Sequence, residues 1–168
     1  MHTILVPVDG SVHALKALTI ACDLAQKYDG QIALLHILAE GKTAKDLIDL
    51  AAANTFGPKL TGLLKKAEEK ALGPVPEQVL RIVGDKILEQ AQSKVERQKL
   101  EVKVLDMKSG DPASAILTAQ KSTGANTIVM GCRGIASTDN ASSNGGKSFG
   151  SVSQRVFERA PCTCLSVK

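Results

Sequence analysis

The stretch GCRGIASTDNASSNGGKSFGSV, Gly131 to Val152, gathers residue types suited to one kind of chemistry, the holding of an anion. Glycine lets backbone N–H groups approach a phosphate closely and tolerates positive φ. A helix starting just behind adds unpaired N–H groups and the positive end of its dipole. Three patterns overlap there. Gly131 and Gly134 flank Cys132 and Arg133, Gly146, Lys147 and Ser148 copy the end of a P-loop, and Gly150, Ser151 and Val152 open what reads as a helix. A P-loop reads G-x-x-x-x-G-K-[ST] and joins a strand directly to a helix. Here Ala141 stands where the first glycine belongs, and the preceding apolar strand already ends near Gly131. The GGKS is therefore not read as a P-loop.

Asp9 is the second candidate. It closes the apolar run TILVPVD and precedes Gly10 and Ser11, so its carboxylate can accept hydrogen bonds from a ligand or cap the next helix. Both roles stay open on spacing alone. The turn DGSVHA carries no G-x-G-x-x-G, which excludes the dinucleotide fingerprint, and no G-x-S-x-G nucleophile elbow occurs. His2, His13 and His36 have neither metal-ligand spacing nor a nucleophile beside them, and His36, inside a strand, is read as structural. Cys22, Cys132, Cys162 and Cys164 form no paired CxxC clusters. Cys162 and Cys164, two apart in a strand, leave the same face and read as small packing residues in preference to a metal site.

Composition narrows the partners. The 168 residues suit one domain with one core, and with 43% hydrophobic residues but only three Phe and one Tyr that core must be aliphatic. Twenty-one basic against 17 acidic side chains leave +4, spread along the chain. That balance suits a phosphate-bearing ligand, while the lack of a basic stretch interleaved with aromatics argues against nucleic acid. No apolar run reaches the roughly 20 residues of a membrane span. The chain enters HTILVPVDGS without a charged leader, so a cytoplasmic, membrane-free protein is expected.

These candidates need elements to position them. Thr3–Asp9 and Gln31–Leu38 read as doubly buried strands, with a helix between them carrying Leu15, Leu18, Cys22 and Ala25 at helical spacing and Gly30 as its stop. Residues 40–76 read as a helical insertion broken by FGP and GPVP, followed by a long helix with Val79, Val83, Ile87, Ala91 and Val95 in step. EVKVLDMKSGD alternates at first, as an edge strand does, and Pro112 opens the next helix. ANTIVMG is the fourth strand, SVSQRVFERA a helix and CTCLSVK the last strand. Strands alternating with helices predict an α/β fold, a three-layer Rossmann-like single domain over residues 1–168 with a five-stranded parallel sheet and a Gly/Ser/Asn-rich loop at 135–149. Ligands of such sheets sit beyond the carboxyl ends of the strands, where strand order reverses. Asp9, Ile37, Gly110 and the loop after Met130 fall at those ends.

With these pieces placed, the chain resembles the universal stress protein family along almost its full length. The resemblance is carried by ILVPVDGS at Ile4 to Ser11, LLHIL at Leu34 to Leu38, SGDPASAI at Ser109 to Ile116, TIVMGCRG at Thr127 to Gly134, and GSVSQRVFERAPCTCLSV at Gly150 to Val167. It implies an adenine nucleotide alpha hydrolase-like fold, a homodimer formed through the last strand, and a stress-response regulator or switch that binds ATP, or ADP or AMP, with Mg or Mn as a companion of the triphosphate. The ATP-binding members look like G-x2-G-x9-G-[ST], kept here as Gly131, Gly134, Gly150 and Ser151. By analogy Asp9, with Pro7 and Val8, holds the adenine or ribose end and Ile37 faces the adenine. Met130, Gly131, Arg133 and Gly134 line the ribose and phosphate path, and the amides of Gly150, Ser151 and Val152 hold phosphates.

The departure from that pattern is the spacing between Gly134 and Gly150, which exceeds the family's nine residues by six. The extra residues either form a solvated bulge or fold over the triphosphate and bring Lys147 to it. An alternative register gives Gly145 or Gly146, with Ser148, the phosphate role; the register through Gly150 runs to Val167 without a gap. Two other readings stand beside the nucleotide switch. One is a nucleotide-free interaction module acting on an unidentified protein partner. The other is a slow ATPase, for which no general base is evident, so at most weak hydrolysis is expected.

Overall fold

The computed structural model describes residues 2–38, 75–134 and 149–168, together with positions 47, 48, 62 and 65. The expected insertion at 40–76 and loop at 135–149 lie largely outside the described residues, and Gly146, Lys147 and Ser148 lie wholly outside them.

Strand β1 (His2–Pro7) buries its middle on both faces, with Ile4 and Val6 in one core and Leu5 in the other. That is the burial a central parallel strand requires. Helix α1 (Val12–Tyr28) follows, capped by Ser11, and buries Ala14, Ala17, Leu18, Ala21, Cys22 and Ala25. The expected stop at Gly30 lies one residue late. Asp29 takes the left-handed conformation at φ 48° and closes the helix onto Ala25 O, as Asp residues tolerate. Gly30 instead opens β2 (Gly30–Leu35), where a Cβ would stand 2.7 Å from His2 O, so glycine serves the close approach of β1.

Helix α2 (Glu77–Glu96) packs Leu80, Val83, Ile87, Ala91 and Val95 into the core beside α1. Strand β3 (Val102–Val104) is much shorter than EVKVLDMKSGD suggested. Beyond it Leu105 N still donates to Leu34 O, and the two chains meet again at an isolated bridge, Ile37 to Lys108. Helix α3 (Pro112–Thr123) begins at an Asp111 cap and ends at Gly124, φ 65°. Strand β4 (Thr127–Gly131), helix α4 (Ser151–Arg159) and strand β5 (Thr163–Val167) complete the described elements.

The five strands are parallel in the order β3-β2-β1-β4-β5. One face of the sheet carries the core shared with α1 and α2, including Ile4, Val6, Leu34 and Val129, and the other carries the core shared with α3 and α4, including Leu5, Leu35, Ile128 and Met130. The three-layer α/β architecture is thus the expected one. Among the described residues, no helix is long and apolar enough to cross a membrane.

Candidate functional site

The strand order reverses between β1 and β4, and the crevice outside their carboxyl ends is where such sheets take ligands. Asp9 follows β1 at that point and the GCRG turn follows β4. Asp9 Oδ1 accepts a hydrogen bond from Ser11 N at 2.9 Å, while the helix cap itself is Ser11, whose Oγ accepts from Ala14 N at 3.2 Å. The two roles open for Asp9 are thereby separated: a neighbour caps the helix, and Asp9 braces the turn. Its other oxygen faces the glycine turn closely enough that a Cβ on Gly134 would stand 2.8 Å from Asp9 Oδ2. Residues far apart in sequence thus form one floor.

The remaining glycines of the motif have equally specific surroundings. A Cβ on Gly131 would lie 2.8 Å from His13 Cβ and 3.0 Å from Ala14 N, so the end of β4 nests against the first turn of α1. Gly150 N donates to Cys132 O at 2.7 Å, and Ser153 Oγ lies 2.8 Å from the same oxygen. Cys132 N in turn donates to Val167 O at 2.8 Å. The turn after β4 is tied in this way to both the start of α4 and the end of β5. One expectation changes as a result: the Gly150 amide, assigned to a phosphate, is taken by Cys132 O. The first-turn amides of α4 that follow it, on Ser151 and Val152, are the ones a helix start leaves without intrahelical partners.

Val8 and Met130 are only 3% and 6% exposed, with side chains in the two cores, and the Val8 amide donates to Leu35 O at 2.8 Å. Pro7, Arg133, Gly150 and Val152 are half-buried, and Ser151 is exposed. Ile37, also half-buried, sits at the bridge to Lys108.

Sequence reasoning set His36 aside as structural, yet it lies against this site. It is buried, and its Nδ1 is 2.8 Å from Val8 O. Burial pushes its pKa below the ordinary histidine value, and the Val8 carbonyl and the Asp9 and Asp85 carboxylates pull it back up less strongly. Asp111 and Arg155 were also missed. They pair across α3 and α4, and the Arg155 guanidinium, with Ser114, holds the Asp111 carboxyl far below the usual carboxylate range. The only sequence signal was Asp before Pro at a helix start. Burial raises the thiols of Cys162 and Cys164, the latter to about 11, so both are protonated at neutral pH. Among the described residues, no group of three or more His, Cys, Asp or Glu side chains is placed to hold a metal ion.

The model of the universal stress protein family matches residues 1–168. The chain is 29% identical to universal stress protein YxiE of Bacillus subtilis over 167 residues, 99% of each chain. Its fold is similar to that of universal stress protein UspA from Lactobacillus plantarum, with a TM-score of 0.65 and 22% identity over 99% of this chain and 97% of that one. It is similar too to a universal stress protein from Archaeoglobus fulgidus solved in complex with dAMP, with a TM-score of 0.64 and 19% identity over 100% of this chain and 98% of that one.

Proposed function

The chain belongs to the universal stress protein family, and on that premise we propose that it is an adenine-nucleotide-binding regulator that takes ATP at the carboxyl ends of β1 and β4. The observation that carries this reading is the meeting of Asp9 with Gly134, where a Cβ would stand 2.8 Å from Asp9 Oδ2. A carboxylate accepts hydrogen bonds, as a ribose hydroxyl or an adenine amino group supplies them, and a glycine turn beside it leaves backbone open to the sugar and phosphates. The dAMP complex of the Archaeoglobus fulgidus relative supports an adenine nucleotide as the ligand class.

In this reading Asp9, Pro7, Val8 and Ile37 take the adenine and ribose end, and Met130, Gly131, Arg133 and Gly134 line the path to the phosphates. The Ser151 and Val152 amides, at the positive end of α4, hold the phosphates. Gly150 sets the angle of that helix start through its bond to Cys132 O. Mg or Mn, where it accompanies the nucleotide, is carried mainly by phosphate oxygens and water. The role is binding and switching, with at most weak hydrolysis, because among the described residues no side chain is identified as a general base for the outer phosphate.

Titration calorimetry with ATP tests the reading. Wild-type protein binds saturably, and Gly134→Val, which pushes a side chain into the Asp9 carboxylate, weakens binding more than about tenfold while leaving the fold intact, since Gly134 is exposed. Wild-type protein that takes up no adenine nucleotide contradicts it, and leaves the nucleotide-free interaction module as the reading of this fold.

A further inference from the structure

We infer that His36 is a positioning residue for the Asp9 end of the site, its imidazole fixing the Val8–Asp9 peptide where β1 and β2 part. The register of the two strands ends at the pair Pro7 and Leu35, and Val8 N still donates to Leu35 O at 2.8 Å. Beyond that pair, a side chain reaches the Val8 carbonyl. His36 Nδ1 lies 2.8 Å from Val8 O, and because a carbonyl only accepts, Nδ1 carries the hydrogen. That C=O shares its peptide plane with the N–H of Asp9, so the plane His36 holds is the one from which the Asp9 side chain departs.

The ring is also seated from behind. At Gly84 of α2 a Cβ would stand 2.6 Å from His36 Cδ2, 3.0 Å from its Nε2 and 2.5 Å from Met107 Sδ. The missing side chain at Gly84 makes room for the imidazole, and α2 thereby sets how far the ring can retreat from Val8. With His36 only 3% exposed, water does not substitute for it at the Val8 carbonyl. The signal in the sequence was LLHIL followed much later by a glycine inside a helix, which nothing linked before the fold was known.

This inference rests on the nucleotide reading above, and its test separates the two. Calorimetry with ATP is run on wild type, His36→Leu, His36→Asn and Gly84→Ala, with thermal unfolding of each as a check on folding. His36→Leu and Gly84→Ala are expected to weaken ATP binding about tenfold, while His36→Asn, whose amide N–H reaches the Nδ1 position, retains most of it. In the Asp9→Ala background His36→Leu adds little further loss, because it acts through Asp9. Folded His36→Leu protein that binds ATP like wild type, or whose loss adds in full to that of Asp9→Ala, overturns the inference. Should wild type bind no nucleotide, the nucleotide reading alone fails, and NMR of the ligand-free protein decides on His36. A neutral ring protonated at Nδ1, with faster amide exchange at Asp9, Gly10 and Ser11 in His36→Leu, supports the positioning role; a ring protonated at Nε2, or unchanged exchange, overturns it.

Discussion

Two contacts help explain the place of Asp9: the Ser11 amide orients one oxygen, and the other faces Gly134, where a Cβ would stand 2.8 Å away. Replacing Asp9 by Ala removes the acceptor and releases the turn, so ATP affinity is expected to fall on the order of tenfold to a hundredfold, measured by calorimetry. His36, behind it, has a second measurable consequence. Its pKa is lowered in the folded protein, chiefly by burial, so the unfolded chain binds its proton first as pH drops. The stabilising contribution is fully present above the unfolded value of about 6.5 and is lost as pH falls below it. Urea unfolding at pH 7.5 and 5.5 is therefore expected to show a steeper loss for wild type than for His36→Asn, which cannot titrate.

At the scale of elements, the site depends on how closely β4 meets α1. Gly131 lies where a Cβ would be 2.8 Å from His13 Cβ and 2.9 Å from His13 C, and backbone does not yield as a flexible side chain does. Gly131→Val is expected to cost about 1 to 3 kcal/mol, read from the denaturant midpoint, and to shift the GCRG turn away from Asp9. The strands and helices themselves were legible, because doubly buried runs such as TILVP and periodic stretches such as Val79 to Val95 carry their environment in their pattern. Less legible was anything set by a long-range approach. Gly30 looked like a helix stop and proved to be a strand contact, and EVKVLDMKSGD looked like a long strand because alternation does not reveal where a neighbouring strand ends. The Gly150 amide looked free on motif grounds, and only the fold shows Cys132 O in front of it. His36 and Gly84, joined across β2 and α2, had no local signature at all.

For the whole molecule, the sheet ends at β5, whose Leu165 is 38% exposed, with Phe157 of α4 at 36%. An edge strand with apolar side chains invites pairing, and a second copy of β5 through a twofold axis is the proposed partner. Light scattering after gel filtration is expected to show a dimer that Leu165→Lys shifts toward monomer; an unchanged monomer in wild type contradicts that assembly. The proposed adenine nucleotide site lies instead at the carboxyl ends of the two central strands, β1 and β4, beside the start of α4. An amide NMR titration with ATP tests it most directly. Saturable shifts are expected to concentrate at Asp9, Gly10, Gly131, Gly134, Ser151 and Val152; ATP that moves none of these, or shifts a surface elsewhere, contradicts binding at these strand ends.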